Sequence, residues 1–288
     1  MVFSFMNDNE LKALISLLDD PDMIIFKEVE QKLITCGPEV IPSLEASWES
    51  SFDVLMQTRI ENIIHSIQFD QIKNELQVWK MSNSFDLLNG LLIINRYQYP
   101  AMDVDNIMFQ FAEMKREVWY ELIYDMSPYE KVKLLNHVFF QDFGLSGNTT
   151  SYHDPQNSYL NKVLESKKGN PITLACIYCI VAQRLDIPIY GVNLPKHFVL
   201  AYMGDDELNE KPLFYINVFN KGQIMKMEDI LSFLKQLNLS PANEYILPCD
   251  NVSIIKRVLR NLVASYDQLD SREKKEEIQI LLDLMEMP

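Results

Sequence analysis

The stretch "KGNPITLACIYC" (Lys168–Cys179) decides how the rest of this chain is interpreted. A glycine turn leads there into a strongly apolar pattern. Pro171 fits the first position of a helix, where its missing N–H costs nothing, and Asn170 just before it can serve as the cap. From Ile172 to Leu185 almost no polar face remains. We therefore expect a helix that is buried on nearly all sides.

Two cysteines, Cys176 and Cys179, lie three positions apart in this helix and suggest a thioredoxin-like redox pair in a cytosolic protein. A reactive thiol gains its low pKa at a helix N-terminus, but Cys176 lies about a turn and a half inside, where the dipole effect has faded. Buried free cysteine behaves as a small hydrophobic residue. We favour core packing, with a redox role as the alternative.

Three strands are predicted after the helix, at "IPIYGVNLP", "HFVLAYMG" and "PLFYINVFN", with the turn "DDELNEK" before the third. His197 is expected to open the second strand, and Asn217 lies on the third. Cysteine hydrolases place a cysteine at the start of a central helix and a histidine on an adjoining strand, with a carboxylate or amide that orients the ring. The pattern therefore offers a base and an orienting group, although a lone strand histidine is more often structural.

The sequence "NSYLNKVLESKKGNPITLACIYCIVAQRLDIPIYGVNLPKHFVLAY", followed by "FYINVFNKG", resembles the SirB branch of the transglutaminase-like superfamily. The resemblance covers residues 85–250 and is strongest across 157–222. It rests on short motifs: Asn157-Ser158, Gly169-x-Pro171-Ile172, Arg184-Leu185, Gly191-Val192-Asn193 and Pro195-x-His197-Phe198. It implies a mostly helical α+β fold with a papain-like core, in which a buried helix packs on a small antiparallel sheet.

The same resemblance implies a degenerate catalytic triad. Active members carry a Gly-x-Cys pattern at the helix start, and here Gly169 matches the glycine while Pro171 takes the place of the cysteine. His197 matches the catalytic histidine, and Asn217 falls where the third-member aspartate belongs. Proline has no atom that can attack a carbonyl, and loss of the nucleophile from such a triad costs about a millionfold in rate. The branch commonly lacks this cysteine.

The segment "GLSGNTTSYHDPQNSY" (144–159) is a loop of unusual length for a compact domain, and such loops are usually functional. It runs into the helix that precedes Gly169 and is placed to form the rim of a cleft. Asn157 and Ser158 are expected to cap that short helix.

Six residues are candidates for lining this cleft, three at the helix start and three in the loop. Backbone N–H groups at the helix start favour a carbonyl or carboxylate, so a peptide-like ligand is expected. The hydroxyl of Thr173, in the first turn of the helix, is expected to form a hydrogen bond with the backbone rather than act as a nucleophile. A collapsed relic cleft, in which His197 only ties strand to loop, remains the alternative. The candidates are Gly169, Asn170, Thr173, Tyr152, His153 and Asp154.

The first seventy residues are predicted to form four short helices. "DDPD" (19–22) separates the first two, and Gly37 precedes Pro38 at the end of the second. The two hairpins resemble a pair of HEAT-type repeats. About three stacked repeats are needed for independent stability, so we expect residues 1–70 to pack on the rest of the chain.

The remaining residues, 71–288, are predicted to form the transglutaminase-like domain. It comprises a helical region at 71–143, a core at 144–250 and C-terminal helices at 251–288.

Composition narrows the possible partners. The net charge is −15, and residues 1–70 hold 13 acidic against 4 basic side chains. Phosphate backbones and anionic lipids would be repelled, so neither nucleic acid nor a membrane is expected as a partner. The four cysteines are too few and too scattered for a disulfide framework, so the protein is expected to reside in the reducing cytoplasm. No phosphate-binding glycine loop is present, and no cofactor or metal is expected.

These patterns predict a non-catalytic transglutaminase-like protein that acts as a protein- or peptide-binding or scaffolding module. A cysteine-type hydrolase or acyltransferase with a relocated nucleophile is the first alternative. A thiol-redox protein that uses Cys176 and Cys179 is the second.

Overall fold

A computed structural model describes residues 7–204 and 211–287. The chain divides into two compact units, Met1–Glu75 and Leu76–Pro288, which are described separately below. The predicted turn "DDELNEK" lies, except for Lys211, outside the described residues. No helix among the described residues has both the length and the apolar character needed to cross a membrane.

The helices of the first unit follow the predicted order. Asp22 caps the second helix, because its carboxylate accepts the N–H of Ile24 at 2.8 Å. Gly37 ends that helix with a φ of +76°, a conformation that suits glycine. The predicted boundary at residue 70 lies inside the fourth helix. Four helices begin among the described residues of this unit: α1 (Asp8–Ser16), α2 (Met23–Cys36), α3 (Ile41–Ser50) and α4 (Val54–Val78), the last of which continues past its boundary at Glu75.

The first unit has an apolar core of its own. The side chain of Arg59 is buried next to this core. It donates to the carbonyl oxygens of Leu18 and Asp20 at 2.7 and 2.9 Å and lies over the ring of Phe26. The guanidinium thereby satisfies carbonyl groups at the end of α1. The buried apolar residues are Ile15, Leu18, Phe26, Val29, Leu33, Val40, Leu44, Ile60, Ile63 and Ile67. The HEAT-like interpretation of these helices stays a prediction.

The second unit is mostly helical, as predicted. Two π-helical turns, Trp79–Asn83 and Val138–Asp142, interrupt its first half. Its helices are α5 (Leu87–Gln98), α6 (Val104–Glu121), α7 (Pro128–His137), α8 (Leu160–Ser166), α9 (Pro171–Gln183), α10 (Met227–Gln236), α11 (Asn243–Ile246), α12 (Asn251–Gln268) and α13 (Arg272–Glu286).

Six strands form two sheets in the described part of the second unit. A two-stranded parallel pair, β1 with β2, joins the long loop to the residues just before α9. The other four strands form an antiparallel sheet in chain order. The three predicted strands are present in it, whereas three shorter strands were not predicted. The strands are β1 (Ser146–Gly147), β2 (Lys168–Gly169), β3 (Ile189–Val192), β4 (Val199–Met203), β5 (Pro212–Asn217) and β6 (Gln223–Met225).

The four-stranded sheet is covered on both faces. Residues that pair directly across antiparallel strands point to the same face. Ala201 pairs with Tyr215, and both belong to a buried cluster with Ile230 and Leu234 of α10. Helix α10 therefore packs on this face.

The opposite face carries Phe214, whose ring stacks on Tyr129 of α7 at 4.6 Å. Helix α7 also meets α9, since the hydroxyl of Tyr178 donates to Asn136 at 3.0 Å. Every residue of α9 from Ile172 to Ala182 is buried. The predicted buried helix on a small antiparallel sheet is confirmed.

Candidate functional site

The start of α9 is fixed by Asn170. Its Oδ1 accepts the backbone N–H of Thr173 at 2.9 Å, which makes it the predicted N-cap. Its Nδ2 donates to the hydroxyl of Ser158 at 2.8 Å, and both side chains are buried. Pro171 occupies the first position of the helix, as predicted. The cap thus also ties the helix to the long loop.

Further hydrogen bonds fasten the loop of residues 144–159 to this helix start. The N–H of Asn148 donates to the carbonyl of Gly169 at 2.9 Å. Its side-chain amide donates to Asn157 Oδ1 at 2.9 Å, and Asn157 Nδ2 in turn donates to the carbonyl of Ser151 at 2.6 Å. The structure therefore joins the loop to the helix start through hydrogen bonds, and further bonds within the loop hold its shape.

The expectation that Asn157 and Ser158 cap α8 is wrong. Both lie in a 3-10 turn, Pro155–Ser158, and their side chains are used by the loop and by Asn170. Helix α8 begins at Leu160, whose N–H instead donates to Asn95 Oδ1 at 3.0 Å. A side chain distant in sequence has replaced the local cap.

The expectation for Thr173 is also wrong. Its hydroxyl is fully buried and has no hydrogen-bond partner among the described residues. A helical threonine usually bonds to a carbonyl three or four residues back. Here the carbonyl of Gly169 accepts from Asn148 and that of Asn170 accepts from Leu174. Because no base contacts this hydroxyl, nothing activates it as a nucleophile.

His197 lies in a turn rather than at the start of a strand. Its N–H donates to the carbonyl of Leu194 at 3.0 Å, and β4 begins two residues later at Val199. The imidazole packs edge-on against Phe233 of α10, with 4.8 Å between ring centroids. His197 is exposed at the surface, and partial desolvation of its imidazole and, secondarily, the nearby guanidinium of Arg257 lower its pKa below the usual value. The ring therefore favours the neutral form.

Asn217 is the last residue of β5 and has a local partner. Its Oδ1 accepts the N–H of Asn220 at 3.1 Å and so caps a 3-10 turn. In the described parts of the chain, no hydrogen bond joins His197 to Asn217, or either of them to Gly169–Pro171. Pro171, His197 and Asn217 thus lie on three separate elements. The side chains of His197 and Asn217 contact Phe233 and Asn220 instead of each other.

The predicted loop residues play different parts. Tyr152 and His153 are exposed and pack edge-on against each other at 5.0 Å. Tyr152 also meets the ring of Phe219, which fills the space beside Gly147 so closely that a Cβ there would lie 2.6 Å away. Asp154 accepts the N–H of Gln156 at 2.9 Å and caps a turn. Tyr152 and His153 are therefore the two loop candidates that offer a surface.

The cysteines are placed as core residues. Cys176 and Cys179 are 1% and 2% exposed. Burial raises the pKa of Cys176 well above its usual value and that of Cys179 to about 12, and it raises the pKa of the partly buried Cys249 to about 11. Thiolates at these positions are disfavoured near neutral pH, which argues against both redox and nucleophilic roles.

The sequence did not single out Arg257 on α12. This partly buried side chain donates from Nη1 to Asn193 Oδ1 at 3.0 Å. Burial and, less strongly, the neighbouring Arg260 lower its pKa. The sequence held one sign of this residue: Arg257 is a charged residue one turn after Ile254, beside the apolar stripe of the helix. Its partner is 64 positions away, beyond the reach of local patterns.

No metal site is indicated among residues 7–204 and 211–287, where no three His, Cys, Asp or Glu side chains are grouped closely enough to hold an ion. A groove of about 1550 Å³ lies in the first unit, along α1, α2 and the turn after them. None of the candidate cleft residues lines it.

Comparison with known proteins identifies one family. The family model described as the transglutaminase-like superfamily matches residues 106–260. No solved structure matches the chain at a significant level.

Three relatives illustrate the range of similar proteins. A UPF0162 protein of Xylella fastidiosa (strain Temecula1) is 34% identical over 193 residues, which cover 64% of this chain and 66% of that protein. Protein SirB1 of Salmonella typhimurium is 26% identical over 190 residues, 64% of this chain and 67% of its own. F-box only protein 21 of Mus musculus is 27% identical over 157 residues, 53% of this chain and 24% of its own. The chain thus spans just under two thirds of the Xylella protein and a quarter of the mouse protein.

Proposed function

This chain belongs to the transglutaminase-like superfamily, on its SirB branch, and we propose that it is a non-catalytic member that binds a protein or a peptide. The observation that carries the proposal is Pro171, which stands at the first position of α9, where the resemblance places the nucleophilic cysteine. A proline ring offers neither a thiol nor a hydroxyl to a carbonyl carbon. Covalent acyl transfer at this position is therefore excluded by chemistry.

The other two triad positions support the same proposal. In a working triad, the base contacts the nucleophile and the orienting group contacts the base. Here the ring of His197 packs on Phe233, and the side chain of Asn217 caps a turn. Both residues are engaged in contacts that are explained by packing and by turn formation alone.

A relocated nucleophile would need a thiol or hydroxyl beside a base. Thr173 is fully buried without a hydrogen-bond partner in the described chain, so no base is in contact with it. Cys176 is buried and its raised pKa disfavours the thiolate. These two observations make the hydrolase or acyltransferase alternative the weaker one.

Binding is supported by the way the loop of residues 144–159 is held. A side-chain bond from Asn170 to Ser158 and a backbone bond from Asn148 to Gly169 fix it to the start of α9, while Tyr152 and His153 remain exposed on it. A pre-organised surface loses little conformational entropy on association, and aromatic residues are common at binding surfaces. The loop is therefore the surface that we assign to the partner.

Catalysis is tested with the full chain and a glutamine-containing peptide, with and without a primary amine. We expect no release of ammonia and no amine incorporation above a heat-denatured sample, and no difference in His197→Ala. Turnover that disappears in His197→Ala would overturn the non-catalytic assignment. Labelling of Cys176 or Cys179 by a substrate-like electrophile would support the relocated nucleophile instead.

Binding is tested separately with a displayed peptide library. Peptides selected on the full chain should lose affinity for the double variant Tyr152→Ala/His153→Ala, with an unchanged melting temperature. The matched control is Tyr124→Ala, because Tyr124 is fully exposed elsewhere on the second unit. Selection of no peptide, or equal binding by the loop variant, would contradict the assignment of this surface.

A further inference from the structure

Arg257 is positioned by the packing of α12 against β3. Gly191 lets the two elements approach closely, since a Cβ there would lie 2.9 Å from Ile254. The N–H of Cys249, just before α12, donates to the carbonyl of Gly191 at 2.8 Å. One turn after Ile254, Arg257 reaches the end of β3 and donates to Asn193 Oδ1 at 3.0 Å. The guanidinium is therefore held in place by rigid elements.

The turn between β3 and β4 lies beside this group, since Asn193 at its start accepts from Arg257. Val192 pairs with Val199, and between them the N–H of His197 donates back to the carbonyl of Leu194. Asn193 and His197 thus stand at the two ends of one tight turn. The guanidinium of Arg257 lies near enough to His197 to lower the pKa of the imidazole. Exposed Lys196 at the tip of the turn adds a second positive charge.

This positive group is not neutralised within the described residues. Arg116 and Arg260 each lie within 2.7 Å of a carboxylate oxygen, of Glu113 and Glu286 respectively. Arg257 has no carboxylate within ion-pair distance in the described chain. This is notable in a protein with a net charge of −15, where acidic side chains are plentiful.

The guanidinium also retains donors. Of its five N–H groups, one bonds to Asn193 in the described structure. The remaining edge of a planar guanidinium matches the two oxygens of a carboxylate. Two elements therefore meet here, α12 and the β3–β4 turn.

We infer that Arg257, together with Asn193 and the β3–β4 turn, forms a binding site for a carboxylate group of a peptide or protein ligand. The inference deepens the binding function proposed above and rests on it for the peptide nature of the ligand. The guanidinium of Arg257 is the cation that a hydrogen bond to Asn193 holds in place, and it balances a monoanion, whereas a phosphate dianion calls for more than one such fixed cation. The ring of Phe233, which packs against His197 of the same turn at 4.8 Å between ring centroids, supplies an apolar wall. The ligand class is thus an acidic side chain or a C-terminal carboxylate.

The test uses the full chain labelled with ¹⁵N and follows the Nε–Hε resonance of Arg257, assigned by its loss in Arg257→Gln. The probes are N-acetyl-phenylalanine and its neutral amide, with inorganic phosphate as a third arm. We expect a saturable shift with the acid and none with the amide. Isothermal titration should show at least a tenfold loss of affinity for the acid in Arg257→Gln. The matched control is Arg260→Gln, one turn further along α12, which should bind like the unmodified protein.

Equal binding of acid and amide, or full affinity in Arg257→Gln, would overturn the site. Tighter binding of phosphate than of the acid would overturn its assignment to carboxylates. If Arg257→Gln fails to fold, Arg257→Lys keeps the charge and loses the fork, and full affinity in a folded Arg257→Lys would also contradict the proposal. Amide turnover would defeat the non-catalytic assignment without affecting this titration, so the two failures are distinguishable.

Discussion

Asn170 and Ser158 are joined across 2.8 Å by a hydrogen bond between two buried side chains, at the point where the long loop meets the start of α9. The same asparagine caps α9 through its other side-chain atom. One residue therefore fixes both the helix that carries the degenerate nucleophile position and the loop proposed to contact a partner.

Replacing Asn170 with Ala should destabilise the protein by about 2–3 kcal/mol, since it removes a helix cap and leaves the hydroxyl of Ser158 without its donor. Chemical denaturation measures the effect. Asp103→Ala is the matched control, because Asp103 caps α6 from an exposed position by accepting the N–H of Asn106 at 2.9 Å. It should cost about 1 kcal/mol. Equal losses in the two variants would show that the bond to Ser158 adds nothing.

The four cysteines should react with iodoacetamide in an order set by burial and thiol pKa. Partly exposed Cys36 should be alkylated first and Cys249 next, while Cys176 and Cys179 should react only after unfolding. Mass spectrometry of native and denatured samples at pH 8 gives the four rates. Fast native labelling of Cys176 and Cys179, with a reversible disulfide, would reinstate the redox alternative.

Replacing Cys176 with Ser should cost about 1–3 kcal/mol, because the fully buried hydroxyl gains no assured partner. The matched control is Cys36→Ser in the first unit, where the side chain is partly exposed and a hydroxyl can be hydrated. Thermal unfolding of both variants provides the comparison. A neutral effect of Cys176→Ser would indicate that water or a polar group reaches this position.

Gly222→Ala should destabilise the protein by about 3 kcal/mol. Gly222 has a φ of +69°, and a Cβ there would collide with the side chain of Asn136, which itself donates to the carbonyl of Gly222 at 3.1 Å. Gly144 has a similar φ of +66° but open space around it. Gly144→Ala should therefore cost only about 1 kcal/mol of backbone strain. A similar loss in both variants would mean that the Asn136 contact is easily displaced.

His197 should make stability depend on pH. Its pKa is lowered in the folded protein, so the unfolded chain binds the proton more readily between that pKa and about 6.5. Its contribution to stability is therefore present above pH 6.5 and is lost as the pH falls through this window. The free energy of unfolding, measured from pH 8 to pH 5, should fall more in the unmodified protein than in His197→Gln.

The nearby charge can be tested with the same histidine. Arg257→Gln should raise the pKa of His197, because it removes the repulsion between guanidinium and imidazolium. An NMR titration of the imidazole resonances follows the change, with Arg260→Gln as the control. An unchanged pKa in Arg257→Gln would show that burial alone sets the value.

Features whose cause is local were predictable from the sequence. Asn170 before Pro171 specifies a helix start through short-range capping, and the unbroken apolar run after it specifies burial. Asp22 and Gly37 mark helix ends in the first unit for the same kind of reason. The motifs around Gly169 and His197 led to the transglutaminase-like family, which the family model over residues 106–260 supports.

The side-chain partners were decided by tertiary structure. Asn157 has the composition of a helix cap, yet it bonds to loop carbonyls, and the N–H of Leu160 is satisfied by Asn95, 65 positions away. The N–H of Leu160 can be satisfied either by a neighbouring side chain or by a distant one such as Asn95, so capping preferences in the sequence do not choose between them. Packing of α5 against α8 makes the choice.

The sequence by itself determined the helical periodicity, the helix starts, the apolar character of α9 and the absence of a nucleophile at Pro171, because each depends on residues within a few positions of one another. The tertiary structure alone decided that His197 lies against Phe233, that the hydroxyl of Thr173 has no hydrogen-bond partner in the described chain and that Arg257 reaches Asn193. These contacts join residues brought together by the packing of helices on the sheet, and the energy of that packing is a property of the whole core.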